Sequence, residues 1–131
     1  MLSPDIHPTH SKAQLSFNNG ILFVKFYDQV VVEVEDVIYI YCYALEQSNR
    51  KPFGLLFDSS GNHEFSEEAI VYFSENTMQR NILAIAYVSE TLLSKIRFNL
   101  FLIFEKPPFK PSFFSNETDA RLWLEQQLRH P

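Results

Sequence analysis

The chain is poor in glycine, in cysteine and in long apolar runs. It has 131 residues, of which 3 are Gly and 1 is Cys. The single thiol, Cys42, can form no internal disulfide, which fits a reducing compartment. The uninterrupted apolar runs, such as residues 82–88, are far short of the roughly 20 residues of a membrane-spanning helix. The first residues lack the basic and apolar regions of a signal peptide. These absences predict a soluble, cytoplasmic protein with no membrane span.

Basic residues are also few. The formal net charge is -5, which argues against nucleic-acid binding because clustered Lys and Arg are needed to neutralise phosphates. The charge is uneven: residues 28–68 hold nine acids and two bases, whereas residues 91–114 hold four bases and one acid. Solvated faces with salt bridges are the ordinary explanation. The alternative is a dipolar monomer whose two ends attract each other in a dimer.

Aromatic residues, by contrast, are abundant. The chain has 13 Phe and 6 Tyr, and 46% of its residues are hydrophobic, so one core filled by large rings is feasible. The length suits one domain. Residues 1–12 are polar and contain two prolines, which predicts a flexible N-terminal tail. Residues 13–131 are predicted to form the single domain.

Turn and periodicity signals predict the first elements. Asn19-Gly20 is the favoured dipeptide of a type I′ turn and predicts a hairpin that pairs residues 13–18 with residues 21–27. Apolar spacing then predicts a helix at about 33–48. The face predicted to be buried consists of Val34, Val37, Ile38, Tyr41 and Leu45. Because Cys42 lies within the same apolar pattern, it is expected to be a buried structural thiol.

Strands and helices alternate in the rest of the chain. Short apolar runs predict strands at 52–58, 82–88 and 112–114. Ser66 is predicted to be the N-cap of a second helix. A third helix is predicted from Ser89-Glu90 to the stop at Pro107-Pro108, and its last part, residues 98–104, could instead be a strand. The shared face of the second helix consists of Ala69, Ile70, Phe73 and Thr77.

The last helix completes the pattern. Asn116 is predicted to be its N-cap, and its apolar face consists of Ala120, Trp123, Leu124 and Leu128. Strands that alternate with helices indicate crossover connections. The sequence therefore predicts an α/β fold with a mixed sheet of about five strands, made of an N-terminal antiparallel hairpin followed by βα units, and about four helices.

This order, β-β-α-β-α-β-α-β-α, resembles the STAS-like fold of the anti-sigma-factor antagonists. The second half resembles the small SpoIIAA-like bacterial proteins, through the strand at 82–88, the stop Lys106-Pro107-Pro108 and the aromatic-led ending at 114–124. The resemblance covers roughly residues 13–128. It implies that Phe114 covers a sheet edge and that Trp123 fixes the last helix to the core. Because members of this group mostly lack an assigned activity, it implies a fold rather than a reaction.

One short motif could mark either a phosphorylatable serine or an ordinary loop. Residues 58–61 read D-S-S-G, and in phosphorylatable STAS domains a similar sequence places a serine at a helix start, where a phosphate is stabilised. Here Asp58 directly follows a strand and lies eight positions before Ser66. Ser59 and Ser60 are therefore expected in a loop, and Ser66 occupies the position of a switch serine. Glu67 and Glu68 would repel a phosphate there.

The remaining polar residues form no recognisable catalytic, metal-binding or cofactor-binding motif, so none of these sites is predicted. His7 and His10 lack the further ligands that a metal site needs. Asp58 and His63-Glu64 follow a strand where ligands of α/β sheets bind. The chain nevertheless has no glycine-rich phosphate loop and no G-x-S-x-G elbow. The sequence therefore predicts that the protein is not an enzyme.

The basic, Phe-rich segment is the predicted ligand-binding or partner-binding region. Core packing and dimer contact are the ordinary explanation for its rings. The alternative is an apolar pocket for a lipid-like acid, with basic residues around the head group. The residues singled out are Lys95, Arg97, Phe98, Phe101 and Phe104.

These patterns together predict a non-enzymatic, cytoplasmic interaction or regulatory module that forms a homodimer and contacts a protein partner. Two alternatives stay open. One is a carrier of an apolar acidic small molecule, and the other is a serine-phosphorylation switch in a partner-switching system.

Overall fold

The computed structural model describes residues 9–10, 12–58, 63–73, 81–88 and 112–129. The strands are β1 Thr9–His10, β2 Ala13–Asn18, β3 Ile21–Phe26, β4 Val31–Val32, β5 Phe53–Asp58, β6 Glu64–Phe65, β7 Ile82–Val88 and β8 Ser112–Phe114. The helices are α1 Val34–Gln47, α2 Glu67–Phe73 and α3 Glu117–Arg129.

The main sheet is mixed, as the sequence predicts. Its strand order is β1-β2-β3-β5-β7-β8, and β4 and β6 form a separate parallel pair. The pairs β1–β2 and β2–β3 are antiparallel, and the pairs β3–β5, β5–β7 and β7–β8 are parallel. The sheet has six strands rather than about five because Thr9–His10 adds a short edge strand. This strand lies within the predicted tail of residues 1–12. The predicted helix at 89–107 lies outside the described residues.

The N-terminal hairpin confirms the turn prediction. Asn19 has φ 54° and Gly20 has φ 78°, and a type I′ turn requires positive φ at both positions. The pairing runs in register from Asn18–Ile21 to Ala13–Phe26. The sequence prediction of a hairpin at 13–18 and 21–27 is thus correct to within one residue.

The sheet buries a separate apolar cluster on each face. The face under α1 contains Leu15, Leu22, Val24, Leu55 and Ile85, and the face under α3 contains Ile21, Leu56, Ala84, Ala86 and Val88. Strands that are covered on both sides read as continuous apolar runs, which explains the sequences of β5 and β7. Gly54 in β5 permits close packing of α3, because a Cβ at this position would lie 3.1 Å from Cδ2 of Leu124.

Helix α3 confirms its predicted cap and face. The Asp119 N–H donates a hydrogen bond to Asn116 Oδ1 at 2.8 Å. Leu124 and Ala120 are buried. The Trp123 ring packs on Phe114 of the edge strand β8, with 5.6 Å between the ring centroids. This contact fits the expectation that Phe114 covers the edge and that Trp123 holds the helix to the core.

Helix α1 corrects the predicted burial. Its buried apolar residues are Val37, Ile40, Tyr43 and Ala44. Of the predicted face only Val37 is buried, and Val34, Tyr41 and Leu45 are half-buried. Ile38 is 39% exposed, and Cys42 is exposed rather than buried. The prediction was wrong because the helix is apolar over most of its circumference, so periodicity alone could not select the inner side.

Candidate functional site

The outward side of α1 is the apolar surface that distinguishes this helix from α3. Val34, Ile38 and Cys42 occur at i, i+4 and i+8 and therefore follow one side of the helix. We call these three residues the outer stripe. Ile38 and Cys42 are exposed and Val34 is half-buried. Around the helix axis Leu45 falls between Val34 and Ile38, and Tyr41 falls beside Val34 on the side of the core. Both side chains are half-buried and pack on the core cluster.

Acidic residues border the other edge of the outer stripe. Glu35 and Glu46 are exposed and lie at i and i+11, which places them within about 20° of each other around the helix axis. Cys42 is the stripe residue next to this edge. Among the residues that the structure describes, the ion pairs are Lys12–Asp36 and Arg121–Glu117, so neither Glu35 nor Glu46 is neutralised by a salt bridge.

The start of α1 is fixed to the sheet by a buried carboxylate. Asp36 is 5% exposed, and its Oδ2 accepts a hydrogen bond from the Glu33 N–H and another from Lys12 Nζ, each at 2.8 Å. Lys12 Nζ also donates to the Val31 carbonyl at 2.8 Å. The hydrogen bond to Asp36 is the main cause of the raised pKa of Lys12. This contact joins the entry to β2 with the first turn of the helix.

The end of α1 is also held by hydrogen bonds. The Asn49 N–H donates to the Glu46 carbonyl at 3.2 Å and the Arg50 N–H donates to the Leu45 carbonyl at 2.8 Å. These two bonds, with φ 55° at Asn49, form a Schellman motif. Asn81 Nδ2 then donates to the Arg50 carbonyl at 2.7 Å. Both ends of the helix that carries the outer stripe are thus bound to neighbouring elements.

A second candidate region lies on the α1 face of the sheet, at the carboxyl ends of the parallel strands. Four rings from neighbouring strands form a row, with centroid separations of 6.0 Å, 6.1 Å and 5.5 Å. The rings belong to Phe26, Phe57, Tyr87 and Phe113. His63 is buried against this row, 4.8 Å from Phe26 and 5.8 Å from Phe65 between centroids. It therefore packs as an aromatic ring within a cluster.

An apolar cavity of about 20 Å³ lies beside these rings. Its lining residues are Phe26, Val37, Ile40, Tyr41, Leu55, Phe57, Phe65 and Ile82. Pockets for small ligands enclose about 300–1,000 Å³, so this cavity has room for roughly one water-sized group. The cavity is a packing gap and lacks the dimensions of a lipid site.

The predicted site residues fall into two groups. Lys95, Arg97, Phe98, Phe101 and Phe104 lie outside the described residues, and so do Ser59, Ser60 and His7. Ser66 is described, and its Oγ accepts a hydrogen bond from the Ala69 N–H at 3.1 Å. It is therefore the N-cap of α2, as predicted. Asp58 ends β5, and Glu64 is exposed in β6.

Sequence reasoning missed the outer stripe and the Lys12–Asp36 pair. The apolar spacing predicts that Val34 and Ile38 belong to the core and that Cys42 is a buried thiol. A usable signal was present, because a helix with apolar residues over most of its circumference has more apolar surface than one sheet face can cover. No comparable signal links Lys12 to Asp36, since the two residues are 24 positions apart.

The described helices include none that is long and apolar enough to span a bilayer. In the same parts of the chain no three His, Cys, Asp or Glu side chains are grouped so as to hold a metal ion.

Comparison with known proteins agrees with this architecture and identifies a family. The fold is similar to the crystal structure of an uncharacterised DUF3478-family protein from Shewanella loihica PV-4, which has a SpoIIAA-like fold. The TM-score is 0.59 at 17% sequence identity, and the match covers 86% of this chain and 91% of that one. At this identity the likeness shows the fold alone. A family model, described as domain of unknown function DUF7793, matches residues 15–128, and the chain belongs to this family. No curated protein matches the sequence.

Proposed function

We propose that this protein is a cytoplasmic, non-enzymatic interaction module that binds a protein partner through the outer stripe of α1. The observation that carries the proposal is the exposure of Ile38 and Cys42 on a helix whose opposite side is already packed on the sheet. Single exposed apolar residues are normal on protein surfaces, whereas contiguous apolar patches often mark interaction sites.

The fixed ends of α1 support the same proposal. Because Asp36 anchors the first turn and Arg50 follows the last, the helix presents the outer stripe in one orientation. A pre-organised surface binds with a smaller loss of conformational freedom than a flexible one. This arrangement suits a docking surface for another folded element.

Site-specific photo-crosslinking in the native host tests the proposal. A photoreactive residue placed at Ile38 is expected to give a discrete protein adduct. The matched control is the same residue at Leu122, which is 56% exposed on α3 and is expected to give none. Equal adduct patterns at the two positions, or none at Ile38, would remove α1 as the docking surface.

The predicted homodimer remains a prediction. The aromatic segment that was expected to form its contact lies largely outside the described residues. Light scattering of the purified protein measures the mass directly, and a species at the 15.4 kDa of one chain at micromolar concentration would exclude a stable dimer.

The carrier function is a second proposal. Only the apolar character of the cavity supports it. The cavity is lined by apolar side chains, but its volume of about 20 Å³ is too small for an acyl chain. Native mass spectrometry of protein purified from its host is the test. A carrier is expected to retain a ligand of defined mass, and a bare chain mass would exclude it.

The phosphorylation switch is the third proposal. Ser66 accepts a hydrogen bond from the Ala69 N–H, and Glu67 and Glu68 place two carboxylates in the same turn. A phosphate would both replace the cap and meet like charges. Intact mass of the native protein, compared with Ser66→Ala, is expected to show a phosphate that the variant lacks. Identical unphosphorylated masses would exclude this switch.

A further inference from the structure

The charge beside the outer stripe defines what kind of partner fits it. Glu35 and Glu46 flank the stripe on one side and lie about 16 Å apart along the helix, which corresponds to three turns. Neither belongs to an ion pair in the described part of the chain. A partner that covers Ile38 therefore meets two carboxylates at a fixed spacing on one of its flanks.

A second copy of the chain is a poor occupant of this surface. If two α1 helices pair in antiparallel orientation through their outer stripes, Glu35 of one copy approaches Glu46 of the other. In parallel orientation the acidic flank of each copy lies against the Tyr41 flank of the other, on opposite sides of the contact, and meets no basic side chain of α1 there. The antiparallel arrangement brings like charges together, which opposes association, and the parallel one leaves Glu35 and Glu46 without a cationic partner. A basic partner, in contrast, is attracted by this flank.

We propose that the outer stripe receives an amphipathic helix of another protein that carries Lys or Arg along one flank, three turns apart. This inference rests on the proposed function and names its partner class. Apolar residues at i, i+4 and i+7 of the incoming helix cover Ile38 and Cys42, in the manner of helix-in-groove recognition. Its basic residues lie against Glu35 and Glu46. Because the outer stripe has only three residues, we expect a small contact area, as in transient interfaces, and a Kd in the micromolar range.

Two synthetic 18-residue peptides test the charge requirement. Both carry the same leucine stripe, one with lysines on a flank at i and i+11 and the other with glutamates there. Fluorescence anisotropy of the labelled peptides against the full chain is expected to show binding of the lysine peptide about tenfold tighter at low salt. Screening shortens the range of charge interactions at high ionic strength, so the difference is expected to shrink in 0.5 M salt.

Matched variants test the position. The double variant Glu35→Lys with Glu46→Lys is expected to reverse the peptide preference. Glu67→Lys with Glu68→Lys changes the net charge of the protein by the same amount from exposed positions on α2, and is expected to keep the original preference. If the two double variants behave alike, the attraction is to net charge and the proposal is overturned.

Ile38→Asp tests the apolar part. The introduced carboxylate would be buried in the complex, so we expect binding of the lysine peptide to weaken about tenfold or more. Leu122→Asp is the control and is expected to bind as the wild type does. Unchanged binding by Ile38→Asp would place the peptide elsewhere and overturn the proposal. A dimer of the purified protein that Ile38→Asp converts to a monomer would overturn it in favour of a second copy.

Cys42 provides an independent positional readout, because it is the only cysteine of the chain. A lysine peptide with a cysteine activated as a mixed disulfide in its leucine stripe is expected to exchange with Cys42 faster than the glutamate version. The Cys42 thiolate attacks the peptide sulfur of the activated disulfide. The activating group leaves as a thiol, and a disulfide between Cys42 and the peptide is formed. Equal rates for the two peptides would contradict docking on the outer stripe. If photo-crosslinking at Ile38 succeeds while the peptides show no charge preference, the interaction surface stands and only the partner chemistry is wrong.

Discussion

The two long helices of this domain use their apolar residues differently. Helix α3 buries Leu124 and Ala120 in the sheet and leaves a single large apolar residue, Leu122, exposed. Helix α1 buries a comparable inner side and also presents the outer stripe. Apart from Leu122, the large apolar side chains of α3 are buried or half-buried, whereas α1 exposes Ile38 and Cys42 on the same side of the helix. This difference is the basis of our proposal that α1 also binds a partner.

The largest expected effect is on the inner side of α3. Leu124→Ala is expected to lower the free energy of unfolding by about 3 kcal/mol, because it removes a fully buried side chain. Gly54, which packs against Leu124, has no side chain that could fill the resulting cavity. Ile38→Ala on the outer stripe is expected to cost less than about 1 kcal/mol. Urea denaturation of both variants measures the contrast. Equal losses would mean that the outer stripe contributes to stability as the core does.

The anchor of α1 is expected to show the next largest effect. Asp36→Ala removes a buried carboxylate that accepts hydrogen bonds from the Glu33 N–H and from Lys12, and we expect a loss of about 2 kcal/mol. Glu35→Ala, one position away on the exposed side, is the control and should stay within about 0.5 kcal/mol of the wild type. A small effect at Asp36 would mean that the start of α1 is held by packing alone.

The same contact gives a pH dependence at its basic partner. The pKa of Lys12 is raised above 10.5, mainly by its hydrogen bond to Asp36. The stabilisation from this lysine is therefore complete below pH 10.5 and is lost as the pH rises through the folded-state pKa. Thermal unfolding of wild type and Lys12→Met is expected to differ at pH 8 and to converge above the raised pKa. A gap that stays constant across this range would contradict the charge contribution.

The caps come third in size. Asn116→Ala is expected to destabilise the domain by about 1 kcal/mol, since Asn116 Oδ1 accepts the Asp119 N–H at the start of α3. Asn116→Asp keeps an acceptor at this position and is expected to retain most of the stability. Chemical denaturation distinguishes the two. If both variants lose the same amount, the amide makes a contribution other than capping.

The smallest effect on stability is expected where the effect on binding is largest. Ile38→Asp and Leu122→Asp both place a charge at an exposed position, so each should change the free energy of unfolding by less than about 0.5 kcal/mol. Only Ile38→Asp is expected to reduce partner binding. These two variants give the most direct comparison of α1 with α3. A binding defect in both would mean that α1 is not the specific docking surface.

Most of the sheet could be predicted from the sequence because its signals are local. The Asn19-Gly20 turn, the continuous apolar runs of β5 and β7 and the caps at Ser66 and Asn116 each depend on a few adjacent residues, and each is confirmed. The two-residue strands were not predicted, because Val31–Val32 and Glu64–Phe65 pair with each other only after the chain has folded.

The candidate site was harder to predict because it depends on which side of α1 faces the sheet. Ile38 and Val37 are adjacent, equally apolar and both β-branched, and yet only Val37 is buried. Local spacing could not separate them, since the choice is made by the rings and aliphatic side chains of β3 and β5 beneath the helix. Which residues form the outer stripe therefore depends on how the helix is oriented on the sheet, and the local sequence of α1 does not determine this.

The double attachment of α1 has a mechanical consequence. One end is tied through Lys12 to the entry of β2 and the other through Asn81 to the entry of β7, two strands on opposite sides of the sheet centre. A force applied to Ile38 by a docked helix would be distributed to both halves of the sheet. Because α1 is held at both ends, pulling on a bound partner could separate the helix from the sheet only if the hydrogen bonds at both ends broke.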